Sequence, residues 1–131
     1  DVTVQVNVLQ GNKSLTRGPH YEGEGEALSL STKRFYATTG LPFKASGDVP
    51  PHLRYLQSPV AKELSYLSDD LFLAARNALM EMLDYLIEHH GLTREQAYFL
   101  TSVAVDLRIG QLVDAGHINV TAIVPLDIFV E

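Results

Sequence analysis

The chain has 131 residues, 46% of them apolar and 20% charged, which suits a globular domain with a real core and is too short for two domains of ordinary size. A net charge of −6, with Lys and Arg nowhere gathered into a patch, argues against a nucleic-acid or anionic-membrane surface, and no apolar run approaches the roughly 18 residues that span a bilayer. With no cysteine, a disulfide framework, a thiolate zinc site and a cysteine nucleophile are all excluded. A cytoplasmic location is the default expectation.

The chain opens Asp1-Val-Thr-Val with neither an initiator Met nor a basic leader, and a piece of a longer protein is expected. In residues 2–9, Val2, Val4, Val6 and Val8 alternate with Thr3, Gln5 and Asn7, the pattern of a half-buried strand with its valines inward. As a sheet edge such a strand would seek a partner. A polar loop rich in Gly is expected from Gly11 to Gly25, followed by two short strands over 27–30 and 34–38. Residues 40–67 contain Pro42, Pro50, Pro51 and Pro59, so neither a long helix nor a central strand can cross them. A connection of that length is either a lid or assembly arm, or a surface excursion packed by Leu53, Tyr55 and Leu56.

Leu71, Ala75, Ala78, Leu79, Met82, Leu86 and Ile87 recur at helical spacing and predict a helix over 69–90. Ser68 is placed to cap it, Asp69 and Asp70 suit the positive end of its dipole, and Gly91 supplies the stop. Thr93-Arg-Glu-Gln96 has the form of a capping box and opens a second helix through about residue 103. Alternation then resumes. Val105, Leu107 and Ile109 point one way and Asp106 and Arg108 the other, and a bulge at Gly110 would bring Gln111 onto the Asp106 face. Asp114-Ala-Gly116 turns the chain into an alternating strand over 117–124, giving a hairpin that ends at Pro125. The fold class is α+β, an antiparallel β-sheet with two helices packed on one face.

The chemistry concentrates at Ser102-Val-Ala-Val-Asp-Leu-Arg-Ile-Gly-Gln-Leu-Val113, where charge interrupts an apolar run. An ionised carboxylate buried there costs several kcal/mol, roughly, unless it is paired. Asp106 and Arg108 lie on one strand face about 7 Å apart. Two readings stay open: a buried structural ion pair, or the floor of a site.

The five histidines make a poor metal set. His89 and His90 are adjacent on a helix, about 100° apart, and suit the helix C-terminus; His20, His52 and His117 are isolated. His20-Tyr-Glu-Gly-Glu-Gly-Glu26 gathers three carboxylates without the ligand order of a calcium loop, and reads as a solvated acidic turn. No phosphate-loop spacing or Gly-x-Ser-x-Gly elbow occurs.

Ser68-Asp-Asp-Leu, Ala74-Ala-Arg-Asn-Ala-Leu and Met82-Leu-Asp-Tyr-Leu resemble the helix of the acetamidase/formamidase family. So do Gly91-Leu-Thr-Arg-Glu-Gln-Ala-Tyr, Ser102-Val-Ala-Val-Asp-Leu-Arg-Ile-Gly-Gln-Leu-Val-Asp114 and Ile123-Val-Pro-Leu-Asp-Ile-Phe129. The resemblance is strong from 68 to 129, looser over the N-terminal strands and weak from 41 to 67.

It implies that residues 1–131 are a single α+β domain, the C-terminal part of a larger enzyme that hydrolyses formamide or acetamide to the acid and ammonia. It also implies a water activated by a divalent metal such as zinc, bound mainly by upstream residues that include a Gly-Asp-Gly-Glu-type motif. This chain would then need that upstream half as its partner and be inactive without it. The resemblance gives Asp106, Arg108 and Gln111 supporting roles, Asp106 orienting a ligand or partner and the other two completing polar contacts. A direct-ligand role for Asp106 is the lesser alternative. A homo-oligomer is expected. The competing reading is a non-catalytic structural or oligomerisation domain.

Overall fold

A computed structural model describes residues 2–6, 18–42, 70–113 and 117–130. Strands β1 (His20–Glu24), β2 (Arg34–Gly40), β3 (Asp106–Gln111) and β4 (Asn119–Pro125) form one antiparallel sheet in the order β1-β2-β4-β3. Helices α1 (Leu71–His90) and α2 (Arg94–Ala104) complete the α+β architecture. Short 3-10 turns lie at Gly25–Leu28 and Leu126–Ile128.

α1 starts where a carboxylate can take an orphan backbone donor. Asp70, not Ser68, is the N-cap, and its side chain accepts from the Leu73 N–H at 2.9 Å. Ser68 and Asp69 lie outside the described residues. The buried stripe is centred on Ala74, Ala78, Met82, Leu83, Tyr85 and Leu86, so Ala74 takes the place expected for Ala75 and Tyr85 joins the core. Gly91 ends the helix in the left-handed region at φ 64°, where a Cβ would be strained. Thr93 and Gln96 form the expected capping box and open α2.

Ladder register defines the two faces of the sheet. Tyr36 pairs with Val124 and Thr38 with Ala122. These residues pack with Ala78, Met82 and Leu86 of α1 and with Ala97 of α2 into the main core. The approach of α1 to β2 is very close at Gly40, where an added Cβ would stand 2.1 Å from the Ala74 carbonyl oxygen and 2.3 Å from the Ala78 nitrogen. Thr38 Oγ1 donates to the Ala78 carbonyl at 2.8 Å, and Asn77 Nδ2 donates to the Leu41 carbonyl at 2.8 Å, stitching helix to strand. On the other face, Phe35, Ala37 and Ile123 form a smaller core roofed by Leu28 and Leu30.

Three expectations are corrected. Residues 2–6 form no strand; Val2, Val4 and Val6 are 91%, 74% and 83% exposed. Alternation is only a capacity for pairing, and no described strand pairs with this segment. The expected strand over 27–30 is a 3-10 turn at Gly25–Leu28 followed by Ser29 at φ 55°. The Gly25 backbone lies so close to Thr32 that an added Cβ would fall 1.8 Å from its carbonyl oxygen, and the chain curls there to lay Leu28 and Leu30 on the smaller core. The expected glycine-rich loop contains a true strand, β1, whose partner β2 satisfies its backbone. Residues 7–17, 43–69 and 114–116, with the proline-rich segment and the hairpin turn, lie outside the described residues.

Candidate functional site

Asp106 stands opposite Ile123 and Arg108 opposite Thr121. The bulge at Gly110 then sets Gln111 opposite Asn119. Asn119, Thr121 and Ile123 share one face of β4, so Asp106, Arg108 and Gln111 share it too, away from α1. The expected alignment of the three residues is present.

Their environment differs from a buried pair. All three are exposed, and Asp106 and Arg108 form no ion pair with each other, so the burial penalty that makes a buried charge costly does not apply. β3 is an edge strand: Leu107 and Ile109, on the helix-bearing side, are themselves 48% and 57% exposed.

Each of the three side chains does something different. Arg108 Nη1 donates to the Leu28 carbonyl at 2.8 Å, tying the edge strand to the roof of the smaller core. Gln111 Nε2 donates to the Val113 carbonyl at 3.0 Å and fixes the chain just past the bulge. Asp106 makes no hydrogen bond or ion pair among the described residues, and it borders a cavity of about 80 Å³. Ile123, Pro125 and Ala104 line this cavity on the sheet and α2 side, and Leu30, Ser31 and Thr32 close it from the loop.

That loop is held from two more directions. The Leu30 N–H donates to the Gly25 carbonyl at 2.9 Å. Asp127 accepts from the Lys33 N–H at 2.7 Å and the Arg34 N–H at 3.2 Å. Those backbone donors, Lys33 first, hold the Asp127 carboxyl below the usual carboxylate range. Neither the Leu28 carbonyl nor Asp127 was singled out by sequence reading. Asp127 carried a faint signal, a carboxylate directly after Pro125-Leu126 where a strand ends.

The histidines lie elsewhere. On the helix-bearing side, the Tyr36 and Tyr85 rings stack at 3.6 Å and His20 stands 6.0 Å from Tyr36. His89 stacks on Tyr85 at 4.9 Å, and His90 meets Tyr85 edge-on and stacks on Phe129 at 3.6 Å. Burial pushes the Tyr85 phenol up, and burial followed by the charge of His89 pushes the His90 imidazole down. His117 is exposed ahead of β4, and His52 lies outside the described residues.

The acidic stretch does not form a carboxylate cage: Glu22 pairs with Arg34, and Glu24 and Glu26 share an open cleft with Lys33 and Arg34. Among the described residues no three His, Asp or Glu side chains gather so as to hold a metal ion, so the described residues do not fit the divalent metal that the resemblance implies. No described helix is long and apolar enough to cross a membrane.

An α+β sheet with one helix-covered face, and a polar edge strand turned to the other, defines a class of scaffold rather than a chemistry. The sequence supplies the rest: over residues 2–131 it matches the acetamidase/formamidase family, and the chain belongs to that family. A comparison with curated proteins found no match.

Proposed function

We propose that the chain serves in the hydrolysis of short linear amides, formamide or acetamide, to a carboxylate and ammonia. The family match across residues 2–131 carries this reading. Amide hydrolysis needs an activated nucleophile and donors for the oxyanion of the tetrahedral intermediate. The chain has no cysteine to act as nucleophile; a divalent metal of the kind the resemblance implies, held outside the described residues, would supply an activated water. In this proposal the metal and the acid/base groups belong to residues outside the described ones, in an upstream part of the same enzyme.

The described strand supplies support. Asp106 presents a carboxylate to the cavity, Arg108 secures the loop beside it, and Gln111 fixes the strand's end. The test is ammonia release from formamide and acetamide by the enzyme purified from its full-length gene. Turnover should be present in the wild type and fall about 10- to 100-fold or more in Asp106→Asn, with an unchanged melting temperature. No turnover of either amide by the wild type would overturn the reading. Full activity in Asp106→Asn would remove Asp106 from the site.

One observation favours the non-catalytic alternative. The outer edge of β3 and the chain after it expose Leu107, Ile109, Leu112 and Val113, a strip suited to covering by another subunit. Native mass spectrometry decides it. A folded assembly that turns over no amide, and that Asp106→Asn disrupts, would make the strand an interface instead of a site.

A further inference from the structure

We propose that the cavity beside Asp106 is the seat of the substrate amide and sets the upper size of the acyl group. The inference rests on the amide-hydrolase reading above and goes further, naming where the substrate sits and what limits it.

Three features of the cavity carry the argument. The first is size. At about 80 Å³ the cavity is small, a scale that suits formamide or acetamide better than a longer amide. The second is chemistry. A primary amide presents N–H donors at one end and, in acetamide, a methyl group at the other. The cavity has the same polarity: the Asp106 carboxylate, which no described residue occupies, against the apolar sides of Ala104, Ile123 and Pro125. A carboxylate accepts from an amide NH₂ and repels an anion, so the cavity discriminates against the carboxylate product and favours its release.

The third is rigidity. The loop wall is a compact turn fixed by Gly25 packing on Thr32, by the Leu30–Gly25 hydrogen bond, by Arg108 on Leu28 and by Asp127 on Lys33 and Arg34. Walls held at that many points keep their spacing, and spacing is what discriminates between ligands that differ by one methyl group. Arg108 and Asp127 are therefore positioning residues for the site, and Asp106 touches the substrate.

The experiment is the relative kcat/KM for formamide, acetamide and propionamide in the enzyme purified from its full-length gene, comparing wild type with Ala104→Val and Ile123→Val. Ala104→Val narrows the cavity and should lower acetamide relative to formamide by about 10-fold or more, since one methylene in an apolar pocket is worth about 10- to 200-fold. Ile123→Val widens it and should move selectivity the other way, raising propionamide relative to acetamide. Ile123→Val is conservative enough to fold, so the test stands even if Ala104→Val does not. Unchanged ratios in folded, active variants would overturn the cavity assignment and leave the amide-hydrolase reading intact. A wild type inactive on all three amides would overturn that reading instead.

Discussion

The two faces of the sheet are built on different terms. Under α1, Tyr36, Ala122 and Val124 meet Ala78, Met82 and Leu86 in one continuous apolar cluster, with buried Thr38 bonded to the helix backbone. The other face has only Phe35, Ala37 and Ile123 beneath Leu28 and Leu30, and then gives way to Asp106, Arg108 and Gln111. The first face gains its stability from burial, at about 1.5–3 kcal/mol for each large apolar side chain. The second gives up burial and holds its shape with hydrogen bonds to backbone, at Leu28, Lys33 and Arg34. The chain thus keeps its buried core and its exposed polar residues on opposite sides of one sheet, and substitutions should sort accordingly.

The largest effect is expected at the closest contact on the covered face. Gly40→Ala drives a methyl group into the backbone of Ala74 and Ala78, where no side chain can give way. α1 must move off β2, and unfolding in urea should show a loss of about 3 kcal/mol or more, comparable to severe core lesions. Thr38→Val on the same face removes a single buried hydrogen bond and leaves the Ala78 carbonyl without that donor, for a loss of about 1–2 kcal/mol in the same assay. If Gly40→Ala proved neutral, the covered face would not be the tightly packed layer described here.

Much of this arrangement was legible in the sequence, and the exceptions have physical causes. α1, α2, the capping box, the Gly91 stop and the Gly110 bulge all follow from local rules that act within a few residues, and each is present. The N-cap of α1 fell on Asp70 because neighbouring residues of equal capping ability leave the choice to packing. β1 was hidden because Glu22, Gly23 and Glu24 have poor strand propensity, and only the non-local ladder with β2 makes them extended. The mistaken strand over 27–30 is the reverse case, with alternating residues bent by a close backbone contact at Gly25. The face shared by Asp106, Arg108 and Gln111 was readable from period and bulge. Their exposure was not, since a strand's position at the edge of a sheet depends on topology. The cavity beside Asp106 joins residues from three separate stretches of chain, and no spacing rule links them.

A smaller effect should come from the loop on the open face. Asp127→Asn keeps the shape of the side chain but takes the charge from the acceptor of the Lys33 and Arg34 N–H groups. Because the folded state lowers the Asp127 carboxyl, its stabilising contribution is complete above the ordinary carboxylate value and is lost as pH falls through and below about 4. Melting curves should therefore show Asp127→Asn below wild type at neutral pH, with the gap closing in acid. A gap independent of pH would mean that the carboxylate charge contributes nothing to holding the loop.

The smallest effect belongs to the covered face and tests whether that side also responds to pH. Burial lowers the His90 imidazole, and its ring stacks on Phe129 and meets Tyr85 at 3.4 Å from Nε2 to Oη. The folded state thus prefers neutral His90, although the C-terminus of α1 pulls the other way by favouring a positive charge. With the folded value below the unfolded one, the stabilising contribution is fully present above about pH 6.5 and is lost as pH falls through the window beneath it. His90→Phe keeps a ring against Phe129 and removes the titration. Its melting temperature should lose the part of the wild-type slope between about pH 5 and 6.5 that His90 supplies, while the acid limb to which Asp127 and Glu95 contribute remains. An identical slope in wild type and His90→Phe would show that the ring is as well solvated in the folded chain as in the unfolded one.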